Sequence, residues 1–394
     1  MTIKLYESDP SIATFKATVL HREGDWVTLD RTAFFPGGGG QDADTGTLNG
    51  LGITELKGKH DTMHRVPGNT FTVGQEVDGW VDILHRRELM MAHTGEHLLY
   101  SALQKQVEGM ELVKIAITPI KKSFIVKGDF GWNEVLRAEE RANRAILNGA
   151  KVTCHHARKG DAILEEARVK LDRIPGEEVR LIRIGDQDLA ACAGLHVDDA
   201  AEIKMILVSR FTSAKPAGDW EVEFEVGEKA VGKALGLSSL ALQACEVTGS
   251  QPADLLVTLE NREQAAQRCK ESLRRHARMQ LSSLLPEHIA GISLYTAALG
   301  AVDRKDMMEA ASRLAGQGAA VLMVSEDEKS MLVVAAGPGV GVDCREVLNA
   351  TLSEFGGRGG GKREFASGGT PGQVEASVLL TKAREALLAS LPTI

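Results

Sequence analysis

Four side chains in two short segments carry the most chemistry in this sequence: His93 and His97 in AHTGEHLL, and Cys192 and His196 in ACAGLHV. Three imidazoles and a thiolate make a ligand set that suits zinc. A helix turns once in 3.6 residues, so the four-residue spacing sets His93 and His97 one above the other on a single face, where two nitrogens can reach one ion. The element that must carry them is a helix from about residue 86 to 106, with Leu89, Leu99 and Leu103 on or near the histidine face. Gly95 inside that helix costs about 1 kcal/mol relative to alanine, so something is expected to approach the backbone closely there. Cys192 and His196 follow a strand-like run, EVRLIRIG, and Gly194 between them permits a tight turn that aims both at the same ion. One histidine or cysteine alone is more often an ordinary core or surface residue. The second segment is what turns a chance spacing into the expectation of a shared metal.

What is missing narrows the kind of site. A thermolysin-like protease needs H-E-x-x-H with the base directly after the first histidine, and that position holds Thr94. Small structural zinc modules use paired C-x-x-C spacings, and the chain has none. A further candidate lies upstream. Residues 34 to 46 read FFPGGGGQDADTG, and four consecutive glycines free the backbone to lie against a ligand or to reach φ values barred to other residues. Backbone N–H groups there can hold a carboxylate, phosphate or ribose oxygen, with Gln41 adding an amide. A flexible turn joining two strands is the plainer alternative.

The FFPGGGGQDADTG loop, the VDILHRRELMMAHTGEHLL segment and the CAGLHV segment, in that order, resemble the editing domain of alanyl-tRNA synthetases and the free-standing AlaX-type alanyl-tRNA editing proteins. The likeness continues to the C-terminus, where Gly356 to Lys362, followed by Ala366-Ser367-Gly368-Gly369, is similar to the glycine-rich signature that such synthetases share with DHH phosphoesterases. The chain thus resembles the long form of the editing protein along its whole length. The resemblance implies hydrolysis of the ester joining a wrong amino acid, chiefly serine, to the alanine tRNA. It implies that His93, His97, Cys192 and His196 bind Zn2+. It places Gly38, Gly39, Gly40 and Gln41 in the aminoacyl and terminal-adenosine pocket with Thr94 beside the substrate, which makes Gln41 and Thr94 the candidate catalytic residues. Aminoacylated tRNA(Ala) is the implied partner.

Departures from the family pattern bear on substrate and not on metal. Cys192-Ala193-Gly194-Leu195-His196 stands where the family has C-G-G-T-H, which removes a hydroxyl next to a ligand. Ala200-Ala201 replaces the usual Thr-Gly, and the strand DWEVEFEV is acidic where a basic pair is expected. Those changes motivate an alternative reading, a tRNA-binding or regulatory homologue that keeps zinc for folding and has lost hydrolysis.

With 394 residues, 43% hydrophobic and 25% charged, the chain has room for two to four domains with real cores. The N-terminus lacks a basic segment followed by an apolar run, and no apolar stretch approaches 20 residues, so a cytoplasmic protein without a membrane partner is expected. Five widely spread cysteines argue against a disulfide framework. A net charge of −8 leaves phosphate contacts to local patches. Candidates are Lys121 and Lys122, the cluster Arg268, Lys270, Arg274, Arg275 and Arg278, and, best placed, Arg358, Lys362 and Arg363 in the C-terminal glycine loop.

The expected fold class is α+β multidomain. Residues 1–85 alternate short β-branched runs with turns and read as a small β-barrel, with nothing helical before Arg86. Residues 86–227 mix helices with strands as a zinc-binding editing domain. Residues 228–284 form a helical hairpin arm in which Ser250 caps a long helix, and Leu255, Leu259, Ala266, Cys269 and Leu273 recur at coiled-coil spacing; a homodimer through this arm or the C-terminal domain is one option. Residues 285–394 form an α/β domain with a glycine-rich loop. Cys154, His155 and His156 are not expected to form a second metal site, because adjacent strand side chains point to opposite faces. Without a DHH motif, phosphoesterase chemistry is not expected.

Overall fold

The computed structural model describes residues 2–58, 61–300, 302–326 and 329–391, apart from the Arg173 side chain. It divides into two compact units, Met1–Gln243 and Ala244–Ile394.

The first unit begins with a seven-stranded sheet. In spatial order its strands are Leu51–Gly52, Gly46–Leu48, Glu76–Val81, Thr14–Glu23, Trp26–Leu29, Met63–Arg65 and Glu55–Lys57. The long strand Thr14–Glu23 serves two neighbours, pairing with Glu76–Val81 through residues 14–18 and with Trp26–Leu29 from Val19 onward. Period-two alternation sends Val77 and Val81 inward to join Phe15, Val19, Leu29, Phe34 and Leu48 in one core, while the intervening residues face water. One feature departs from expectation. A single helical turn, Leu5–Ser8, precedes the sheet.

Helix α1 (Ile83–Gln104) starts three residues before Arg86 because Asp82 caps it, its carboxylate accepting the His85 N–H at 3.1 Å. Leu89, Leu98, Leu99 and Leu103 are buried, and the helix is covered by α2 (Trp132–Leu147) and by a four-stranded antiparallel sheet ordered Glu111–Ile117, Lys122–Lys127, Asp219–Val226, Ile206–Ser213. The hairpin 111–127 escaped the sequence reading. Val222, Phe224 and Val226 share the buried face of their strand, as their parity requires. Gly95 has its anticipated neighbours: a Cβ there would sit 3.2 Å from both Ile206 Cδ1 and Val226 Cγ1. A third sheet, antiparallel, joins Val152–Arg158, Glu178–Ile184 and Asp188–Ala191. The run EIKMILVSRF is not all strand, since Asp199 caps a 3-10 turn at Ala200–Ile203 and the strand starts at Ile206.

Helix α3 (Gly227–Thr248) contains the division between the units. In the second unit a 3-10 turn, Pro252–Asp254, leads into α4 (Leu255–Ser282). Ser250 is not its cap: Asp254 holds the capping position of α4 and Gln251 that of the turn before it, and the Ser250 hydroxyl pairs with that of Thr248 at 2.8 Å. On the predicted apolar seam of α4, Leu259 and Leu273 are exposed. Six strands follow in the order Glu287–Ile289, Ile292–Leu299, Ala320–Ser325, Met331–Ala336, Phe365–Gly369, Arg358–Lys362. Helix α5 (Arg304–Ala315) packs on one face, and α6 (Cys344–Ser353) and α7 (Ala376–Ala389) on the other, so Ala320–Ser325 is buried throughout and reads as a continuous apolar run.

The C-terminal glycines require a correction. They form no loop: Arg358–Lys362 is the edge strand of this sheet, paired residue by residue with Phe365–Gly369. Glycine is demanded by packing at Gly359, where a Cβ would meet Leu348 Cδ2 at 2.6 Å, and at Gly361, where it would meet the Phe365 carbonyl oxygen at 2.2 Å. Among the described residues no helix is long and apolar enough to cross a membrane.

Candidate metal centre

The two distant segments meet. Helix α1 presents His93 and His97, and the segment leaving the strand Asp188–Ala191 presents Cys192 and His196; one ligand atom from each lies within 4.8 Å of all the others. Sγ of Cys192 is 3.4 Å from Nε2 of His93 and 3.3 Å from Nε2 of His196. A tetrahedral zinc with its usual bond lengths separates sulfur and nitrogen ligands by about 3.5 Å, so the donor set fits that ion.

What aims the nitrogens is a separate hydrogen bond to each ring. Nδ1 of His93 donates to Oε1 of Gln41 at 2.8 Å, and Nδ1 of His97 donates to Oδ2 of Asp188 at 2.8 Å. Thr94 supplies the last partner. Its hydroxyl donates to the Met90 carbonyl at 3.0 Å, so its lone pairs must accept the Nδ1–H of His196 at 3.1 Å and the Val197 N–H at 3.3 Å. With every Nδ1 occupied, the remaining lone pairs are those on Nε2, which is how metal-binding histidines are held in one tautomer.

The glycine-rich segment docks directly on this cluster. Gly37, Gly38, Gly39 and Gly40 have φ of 84°, 148°, 63° and 89°, values that only glycine adopts readily, so the path of this run excludes other residues. Gln41 at its end bonds backbone-to-backbone with Gly38, and the Ile117 N–H donates to the Gly40 carbonyl at 2.8 Å. Gln41 Oε1 also accepts the Leu195 N–H at 3.0 Å, which ties the loop to the CAGLH segment. That leaves Nε2 of Gln41, a buried donor with no partner in the chain. The loop is clamped from below by Arg86 and Asp44, both buried, whose ion pair is supplemented by the Ala33 and Pro10 carbonyls on Arg86 and by the Phe35 N–H on Asp44. Gly194 stands in the bend expected of it and has a second constraint as well. A Cβ there would fall 2.2 Å from Cε1 and 2.3 Å from Nδ1 of His93, so its smallness makes room for a ligand ring.

Burial and charge polarise the site. Burial pushes the Cys192 thiol up, but His93 and His196 outweigh it and hold it well below the usual thiol range. His196 is driven down to about 3 by burial and by its histidine neighbours. Burial also lowers His97, yet Asp188, with Cys192 and Glu96, raises it to about 10. Asp188 itself, against the cost of burial, is held below its ordinary value by His97 and Arg168.

Some sequence candidates lie elsewhere or are already engaged. Lys122 is buried between Glu88 at 2.9 Å and Glu225 at 3.3 Å, and Lys121 pairs with Glu221 at 2.7 Å and Glu223 at 3.3 Å. The acidic strand therefore neutralises both lysines, and neither is free for phosphate. Arg274 and Arg278 are likewise paired, with Asp303 and Asp306. Arg358 and Lys362 stand on the exposed edge strand of the second unit, with Arg363 in the turn after it. Cys154 and His156 lie on an exposed strand face, 3.9 Å apart, without a third ligand among the described residues. Three residues of the site had not been anticipated: Asp188, Arg168, and Arg180, which braces the Cys192 and Gly194 carbonyls at 2.7 and 2.9 Å.

Comparison with known proteins covers the whole chain. Residues 291–389 match the DHHA1 domain family. The alanyl-tRNA editing protein AlaX-L of Pyrococcus horikoshii is 27% identical over 394 residues, spanning 93% of this chain and 94% of that one. Alanine–tRNA ligases of Methanoregula boonei and Thermococcus kodakarensis are 26% and 30% identical over 99% and 98% of this chain, which spans 44% of the length of each. The C-Ala domain of Aquifex aeolicus alanyl-tRNA synthetase aligns with 26% of the chain at 19% identity and a TM-score of 0.25. Along nearly its whole length the chain is similar to the long-form AlaX-type alanyl-tRNA editing protein and to the matching part of alanyl-tRNA synthetases, and its C-terminal part matches the DHHA1 domain family.

Proposed function

We propose that this protein hydrolyses the ester of mischarged tRNA(Ala), most readily Ser-tRNA(Ala), at a zinc centre formed by His93, His97, Cys192 and His196. The observation that carries the reading is the free, buried Nε2 of Gln41 beside four converging ligand atoms and a glycine cradle. Serine exceeds alanine by one hydroxyl, and a pocket that merely fits a small side chain rejects such an isostere weakly at synthesis. A second site selects the error by bonding the hydroxyl. Gln41 Nε2 is a donor able to do so, and alanine would leave it unpaired at a cost of about 1–3 kcal/mol. The backbone of Gly38, Gly39 and Gly40 offers the surface against which the aminoacyl group and terminal ribose pack, and Thr94 contributes by fixing His196. Zinc, when bound, supplies Lewis acidity toward the ester or, within a closed four-ligand shell, the rigidity that keeps Gln41 in place.

On the second unit, Arg358, Lys362 and Arg363 are the cations we assign to the tRNA backbone. Arg358 and Lys362 share one face of the edge strand around Gly360, whose missing side chain no neighbour within 4 Å requires.

The test is to incubate purified protein with seryl-, glycyl- and alanyl-tRNA(Ala) and to follow ester loss. Serine-selective loss supports the proposal. Tight tRNA binding without hydrolysis would instead support a non-catalytic homologue, a reading favoured by Leu195, which puts a buried apolar side chain where the family has a hydroxyl.

A further inference from the structure

Behind the metal centre, Glu96 and Arg168 leave three buried polar atoms without a hydrogen-bond partner in the chain: both carboxylate oxygens of Glu96, and Nε of Arg168. Arg168 comes from an irregular segment that the sequence gives no reason to connect with His97. Its backbone is pinned along the strand Asp188–Ala191, the Arg168 N–H donating to the Leu189 carbonyl at 2.8 Å and its carbonyl accepting from Ala191 at 3.1 Å. From there the side chain turns inward. Its guanidinium lies 4.6 Å from the centre of the Tyr100 ring, one helical turn beyond Glu96 on α1, and Nη2 donates to Oδ2 of Asp188 at 2.9 Å. That same oxygen accepts the Nδ1–H of His97.

Sharing a single oxygen is what gives Arg168 a role beyond packing. A lone carboxylate can rotate and offer either oxygen, or neither, to an imidazole. One whose oxygen is also held by a guanidinium stacked on a buried ring has a single orientation left. Withdrawing a guanidinium from water is costly unless compensating groups surround it, and here Asp188 binds the half-buried Arg168, Tyr100 faces it and the charge of Glu96 favours it from a distance. We propose that Arg168 is a positioning residue of the metal centre: acting through Asp188, it fixes the ring of His97 and so sets how tightly the site retains zinc. The inference rests on the metal reading of the site and not on which ester is cleaved.

Zinc affinity of the full chain, measured by competition with a chromophoric chelator, tests this without any tRNA. Asp188→Ala and Arg168→Met should each weaken binding by about 10- to 100-fold, the range seen when groups that orient a ligand are lost. Because Arg168 works through Asp188, adding Arg168→Met to Asp188→Ala should change affinity by less than about twofold. Arg168→Lys, which keeps one donor for Asp188, should recover part of the loss. Wild-type affinity in Arg168→Met, or an equal effect of that substitution with and without Asp188, overturns the proposal. If Arg168→Met does not fold, Arg168→Gln takes its place in the cycle with the same criteria. Failure of the metal reading itself looks different: the wild-type chain would then take up less than one zinc, or Cys192→Ser would bind it normally.

Discussion

Two sets of buried histidines in the first unit have opposite uses. His64, in the N-terminal sheet, spends both ring nitrogens inside the fold, with Nδ1 donating to the Val27 carbonyl at 3.2 Å and Nε2 accepting from the Thr32 hydroxyl at 2.8 Å. His93, His97 and His196 spend Nδ1 on three different partners and turn Nε2 toward a common point, where Nε2 of His93 and of His196 meets the Cys192 sulfur. Burial is the same in both places. What separates a structural histidine from a ligand is whether its second nitrogen is spent on an ordinary hydroxyl or carbonyl, or converges with other imidazoles on a thiol.

Exchanging the lesions between the two sets should break this contrast most visibly. Cys192→Ser should lower zinc affinity by about a hundredfold or more, since each ligand of a four-ligand site carries a share of roughly 10–16 kcal/mol, whereas His64→Gln should retain one zinc per chain. Metal analysis after dialysis checks both.

Protonation sharpens the comparison next. Burial lowers His64 from 6.5 to about 4. The unfolded chain therefore takes up a proton between pH 6.5 and 4 that the folded chain refuses, so this stability is present above pH 6.5 and lost as pH falls toward 4. The limiting size is about 3 kcal/mol, and chemical unfolding at pH 7.5 and 4.5 should show a drop that shrinks in His64→Gln. A smaller effect contrasts two glycines. Gly194→Ala should displace the His93 ring and slow ester hydrolysis by about ten- to a hundredfold, while Gly360→Ala should leave thermal stability within about 0.5 kcal/mol. Smallest of all, Lys362→Ala should weaken tRNA binding a few-fold and reduce the slope of log affinity against log salt by about 0.7–0.9.

How much of this was legible in the sequence follows from which contacts are local. The His93 and His97 pair, and the crowding at Gly95, follow from helical geometry within one turn. The C-terminal helices were placed well because their apolar period and capping aspartates, Asp303 and Asp343, lie within the same few residues. Asp188 was not legible, because its strand has four residues and its partner is 91 positions away. Arg168 sits in a segment with no period at all. Lys121 and Lys122 read as candidate phosphate contacts until the fold brought Lys121 beside Glu221 and Glu223, and Lys122 beside Glu225 and, from α1, Glu88. The glycines at 359 and 361 read as a loop by propensity, and only pairing with Phe365–Gly369 and a close fit against Leu348 and Ala366 make them part of a strand. Gly194 read as a turn residue, which it is, but the ring from another segment that also demands a glycine there was not legible.

X-ray absorption at the zinc edge of the purified, metal-loaded chain addresses the convergence of these four side chains most directly. The structure predicts one zinc per chain with a single sulfur at about 2.3 Å and three imidazole nitrogens at about 2.0–2.1 Å, the sulfur vanishing in Cys192→Ser. A shell of nitrogen and oxygen alone in the wild-type chain would contradict it.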